Sequence, residues 1–102
     1  MIKHCVFAQI NAETPQDEID RVLSGFGTLV GEVEGMVDYF YGPNRDYENI
    51  SPDYPYGFVA TFQDRQALAR YDEHPAHREF GAALVNMTVG GADGVVVFDI
   101  DV

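Results

Sequence analysis

Residues 2–31 read IKHCVFAQINAETPQDEIDRVLSGFGTLVG, and two different periodicities follow one another within them. Through Ile10 the residues alternate, with Ile2, His4, Val6, Ala8 and Ile10 on one face and Lys3, Cys5, Phe7 and Gln9 on the other. That is the period of a β-strand, and Cys5 and Phe7 make its second face partly apolar as well. From Thr14 the period changes. Thr14 and Pro15 read as an N-cap and first helical residue, with Asp17 and Glu18 complementing the dipole of the first turn. Ile19, Val22, Leu23, Phe26, Leu29 and Val30 then form one stripe of helical period. Gly25 and Gly27 each cost ~1 kcal/mol relative to alanine in a helix interior, so packing on a sheet must hold this helix.

Working outward, residues 36–41 and 56–62 read as further strands, separated by a polar loop with Pro43, Asn44, Pro52, Asp53 and Pro55 that is too long for a tight hairpin. Asp64 is placed to cap a short helix carrying Ala67, Leu68 and Tyr71. Pro75 opens another, with His77, Phe80, Leu84 and Met87 at helical spacing. Gly90, Gly91 and Gly94 surround a turn, and residues 95–100 are apolar without alternation until Asp99, as in a strand covered on both faces. The order strand, helix, strand, strand, helices, strand predicts an α+β fold of ferredoxin-like type, a four-stranded antiparallel sheet with its helices on one face. One domain over residues 1–102 accounts for the whole chain. Helices on one side leave the other sheet face bare, so a homodimer is expected to cover it.

Charge narrows the partners. Seventeen acidic residues against six basic ones leave a formal charge of −11, a field that repels phosphate backbones and anionic lipid, so neither nucleic acid nor a membrane surface is expected as a partner. A single cysteine, Cys5, allows no intrachain disulfide and suits a reducing compartment. No charged-then-apolar leader is read at the start, and the expectation is a soluble cytoplasmic protein.

The chemistry-bearing residues converge by periodicity. His4 shares a face with Val6 and Ala8, His77 lies on the stripe with Phe80 and Leu84, and Tyr71 falls on the buried side of its helix. If the helices cover that face of the sheet, two imidazoles and a phenol meet in an apolar cleft. An imidazole takes and returns a proton near neutral pH, and a phenol orients or polarises a carbonyl oxygen. The competing reading is a hydrogen-bonded core cluster without activity. His74, just before Pro75, reads as a helix cap rather than a site residue. Tyr39 and Tyr41 read as packing at the sheet. Tyr56, in register with Phe58 and Ala60, is a candidate for the pocket. Cys5 faces away from His4, and the spacing of His74 and His77 makes a poor metal site, so no metal or cofactor is expected.

Several segments together carry a resemblance: Met-Ile-Lys-His at residues 1–4, Gly42-Pro43, FQDRQAL at 62–68, YDEHPAHREF at 71–80 and VVVFD at 95–99. The chain resembles the Dabb, or stress-responsive dimeric α/β barrel, family over nearly its whole length, and Tyr-x-x-His-Pro-x-His-x-x-Phe is the most specific part. The resemblance implies a ferredoxin-like subunit whose sheet closes into a dimeric α/β barrel with a second copy. Most bacterial members of that family have no assigned activity, and a few plant relatives are enzymes of carbonyl chemistry, a polyketide cyclase and a hydroxynitrile lyase. In the cyclase, the histidine matching His77 resembles the base and the tyrosine matching Tyr71 its partner, with His4 matched as well. The chain departs where the cyclase has a further histidine, matched here by Tyr56.

The expected function is a cofactor-independent lyase or cyclase-like enzyme on a small carbonyl compound, with His77 as general base, Tyr71 orienting it or the substrate, and His4 completing the polar lining. A non-catalytic stress-associated or small-ligand-binding dimer is the alternative from another class. A cofactor-free monooxygenase of the antibiotic-biosynthesis type shares the architecture, although the His-Pro-x-His segment argues against it.

Overall fold

A computed structural model describes all of residues 1–102. In chain order it contains β1 (Ile2–Ala8), α1 (Gln16–Gly27), β2 (Met36–Pro43), β3 (Tyr56–Phe62), α2 (Arg65–Glu73), α3 (Pro75–Asn86), a 3₁₀ turn at Gly91–Gly94 and β4 (Val95–Asp101). The strands form one antiparallel sheet in the order β2-β3-β1-β4. This is the ferredoxin-like arrangement expected from the alternation of periods. No helix is long and apolar enough to cross a membrane.

Register sorts the two sheet faces. His4 pairs with Ala60 and Asp99, Val6 with Phe58 and Val97, and Ala8 with Tyr56 and Val95, so these residues share the face under the helices. Ile19, Val22, Leu23 and Phe26 of α1, with Leu29 beyond its end, bury against that face. Each fully buried aliphatic or aromatic side chain stabilises the fold by about 1.5–3 kcal/mol. The glycines of α1 have a packing reason. A Cβ at Gly25 would lie 2.3 Å from the Phe80 ring, and one at Gly27 would lie 2.7 Å from the Tyr39 ring, so glycine lets α3 and β2 approach the helix.

Local boundaries depart from the sequence reading in places. β1 ends at Ala8, and Ile10 makes only an isolated bridge to Thr88. Pro15 occupies the N-cap position in extended conformation, its carbonyl accepting from Glu18 and Ile19, and no side chain caps the helix. Val30 leaves the stripe because α1 stops at Gly27, and it is exposed. Asp64 does cap α2, accepting from the Ala67 amide at 2.9 Å. β4 is an edge strand, and within one chain it is not covered on both faces: Val97, Phe98 and Ile100 are about half exposed or more. The bare sheet face carries Cys5, Phe7, Phe40, Val59, Val96, Phe98 and Ile100, a continuous apolar surface across all four strands.

Candidate functional site

Three elements deliver His4, Tyr71 and His77 to one place. β1 presents His4 between Ala60 and Asp99 of its neighbours, the last full turn of α2 presents Tyr71, and the first turn of α3 presents His77. The short break between the helices is set by His74. It is extended, accepts from the Ala76 amide through Nδ1 at 3.1 Å, and is followed by Pro75 at the first helical position. His74 is therefore a cap, as its place before proline suggests. Its Nε2 lies 3.5 Å from Glu32.

The three rings touch. Tyr71 lies 4.4 Å from His77 and 5.8 Å from His4 between ring centroids, with Phe62 packed on Tyr71 at 5.0 Å and Phe26 near His77 at 5.9 Å. The residues converge as periodicity predicts, and this packing buries Tyr71 completely while His77 stays partly exposed. Three grooves of the molecule, of about 580, 570 and 610 Å³, are lined by none of the three. The first two lie on the bare sheet face, and the third lies beside the start of α2.

Both imidazoles are held at Nδ1. His4 Nδ1 sits 2.6 Å from Asp99 Oδ1, a short contact of the charge-assisted kind. His77 Nδ1 sits 3.2 Å from the Asp72 carbonyl oxygen, which can only accept, so Nδ1–H is the donor. Nε2 is then the basic nitrogen of neutral His77. Burial lowers the His77 pKa below the usual imidazole value, opposed by the Asp72 carboxylate and carbonyl and assisted by His4 and Arg78. A half-buried imidazole so biased is neutral, and able to accept a proton, at neutral pH.

Tyr71 is fully buried, and its hydroxyl has no hydrogen-bond partner. Burial, and secondarily the Asp72 charge, push its pKa upward, so the phenol stays protonated and can only donate or accept as O–H. Buried hydroxyls are ordinarily hydrogen-bonded, so the unpartnered Tyr71 hydroxyl sets this ring apart from the rest of the core.

The other tyrosines are placed differently. The Tyr56 hydroxyl donates to Gln16 Oε1 at 2.8 Å at the exposed start of α1, and Phe58 stands between Tyr56 and Ala60 along β3, so the structure does not bring Tyr56 to the ring cluster. Tyr39 donates to the Leu23 carbonyl and packs on Phe58 at 5.2 Å, a packing role. Cys5 faces the bare side of the sheet. Sequence reasoning missed Asp99. The signal was its charge ending an apolar run, but pairing it with His4 requires the β1–β4 register, which no local pattern supplies.

Comparison with known proteins follows the same lines. A family model described as the stress responsive A/B barrel domain matches residues 2–102. A stress-response A/B barrel domain-containing protein of Arabidopsis thaliana is 31% identical over 98 residues, which span 96% of this chain and 86% of the relative. Olivetolic acid cyclase of Cannabis sativa is 24% identical over 80 residues, 78% of this chain and 79% of the enzyme. Among solved structures, a dimeric ferredoxin-like protein of unknown function from Jannaschia sp. superimposes with a TM-score of 0.93 at 39% identity, covering 99% of this chain and 98% of that one. Fold, length and motif agree with the full-length match, and the chain belongs to the stress responsive A/B barrel (Dabb) family.

Proposed function

We propose that the domain formed by residues 1–102 works as a homodimer and catalyses a cofactor-independent, lyase- or cyclase-like reaction on a small carbonyl compound. His77 accepts the proton through Nε2, Tyr71 hydrogen-bonds the carbonyl oxygen through its hydroxyl, and His4 completes the polar lining. Tyr56, whose hydroxyl is engaged by Gln16 away from the ring cluster, takes no part in this proposed step. The observation that carries the reading is the Tyr71 hydroxyl, buried and unpartnered on a ring packed against two imidazoles whose Nδ1 atoms are already engaged. The distant likeness to olivetolic acid cyclase supports the reaction class. The dimeric Jannaschia relative and the bare apolar sheet face support the second copy.

One observation favours a second reading, a non-catalytic stress-associated or small-ligand-binding dimer: Tyr71 is fully buried against the two imidazoles, so a ligand must part the rings to reach its hydroxyl. A thermal-shift and turnover screen of small carbonyl compounds separates the two. The proposal expects a hit that is converted by wild type, is not converted by His77→Ala, and leaves that variant folded and dimeric. Conversion by His77→Ala at the wild-type rate would remove His77 as the base, and binding without conversion by wild type would transfer preference to the second reading.

A further inference from the structure

Asp99 interrupts an otherwise apolar stretch of β4 and faces two environments. Inward, its carboxylate meets His4 Nδ1 at 2.6 Å, and His4 is only 8% exposed. Outward, its side chain is 45% exposed and lines the groove of about 610 Å³ together with Asp64, Arg65 and Asp101. A charge on an edge strand also discourages edge-to-edge pairing, but that role requires no imidazole at hydrogen-bond distance.

We infer that Asp99 is a positioning residue that holds His4 in its Nδ1–H tautomer and makes Nε2 a second proton acceptor within the ring cluster. The inference rests on the acid–base reading proposed above. An ionised carboxylate only accepts, so the proton of neutral His4 belongs on Nδ1 and the lone pair on Nε2. Nε2 has no protein partner, whereas the Tyr71 ring stands 5.8 Å away from the imidazole. When Nε2 takes a proton from a bound acid, the imidazolium forms against a carboxylate already in contact with it. The same nitrogen returns that proton to the product, so no external donor is needed and the carboxylate keeps its charge throughout. Because the outer side of Asp99 remains in water, its charge is not stranded in the core. Two imidazoles pack on one phenol, His77 held at Nδ1 by a backbone carbonyl and His4 held at Nδ1 by a side chain, so the Nδ1 partner of His4 can be changed by a conservative substitution.

The experiment is nitrogen NMR of histidine-labelled protein at mildly alkaline pH, for wild type, Asp99→Asn and Asp99→Glu, with circular dichroism confirming the fold. Wild-type His4 is expected as the Nδ1–H tautomer. The asparagine variant is expected to shift His4 toward Nε2–H, and the glutamate variant to restore the wild-type form in part. In parallel, turnover of the carbonyl hit by Asp99→Asn should fall roughly tenfold or more in kcat with KM little changed. A wild-type His4 protonated on Nε2, or a tautomer indifferent to Asp99→Asn, overturns the inference whatever the activity. A shifted tautomer with unchanged kcat also overturns it, because positioning would then serve nothing. If no carbonyl compound is turned over by wild type, the acid–base reading fails by itself, and the tautomer shift still decides whether Asp99 positions His4.

Discussion

A hydroxyl buried without a partner costs about 1–3 kcal/mol, and Tyr71, the largest fully buried side chain, carries one. Tyr71→Phe keeps the ring contacts with Phe62 and His77 and removes only that hydroxyl. The substitution should therefore stabilise the protein by about 1 kcal/mol, a rise of about 4 °C or more in melting temperature, while lowering turnover. A destabilised Tyr71→Phe would show that the hydroxyl is satisfied in solution, and the argument for a site would lose its support. His77 gives a pH test at the same scale. Burial depresses its folded pKa, so over the window below about 6.5 the unfolded chain binds the proton more readily than the folded one. Its contribution to stability is complete above about pH 6.5 and is lost as the pH falls. Melting temperature should accordingly fall less steeply from pH 7 to 5 in His77→Gln than in wild type. Parallel profiles would contradict the assignment.

Among the elements, the helices show how propensity yields to packing. Alanine is worth ~1 kcal/mol more than glycine in a helix interior, yet a Cβ at Gly25 would collide with the Phe80 ring at 2.3 Å. Gly25→Ala should consequently destabilise by about 1–3 kcal/mol, and adding Phe80→Leu should recover part of the loss in chemical denaturation. An alanine variant as stable as wild type would mean that α3 shifts freely away from α1. The main elements, their order and the inward faces of β1, α1 and α3 were legible because each follows a period of 2 or 3.6 that burial enforces. His74 was legible as a cap because proline follows it. Asp99 and the complete burial of Tyr71 were not. One depends on the register between chain ends 95 residues apart, the other on how Phe62 and the two imidazoles pack around the Tyr71 ring. The position of Tyr56 outside the cluster is likewise a matter of distance along β3, which facing alone does not reveal.

For the molecule as a whole, the bare sheet face is the largest feature left unpartnered by the chain itself. Phe40 and Phe98 are 69% and 55% exposed on it, and a contiguous apolar surface of this kind is characteristic of an interface. Phe98→Asp should leave the subunit folded, because the side chain touches little of its own chain, and should convert a dimer of twice 11.4 kDa into a monomer by light scattering. A wild-type monomer would dissolve the barrel. Whether the enclosed site does acid–base chemistry is a separate question, and it is answered by following the exchange of α-protons for deuterium in 1,3-dicarbonyl compounds dissolved in heavy water. Wild-type protein should accelerate that exchange without added metal or cofactor, and His77→Ala should lose about 100-fold or more of the acceleration while remaining folded and dimeric. Exchange at the uncatalysed rate with wild type, or equal acceleration by His77→Ala, would contradict the reading of His77 as a base.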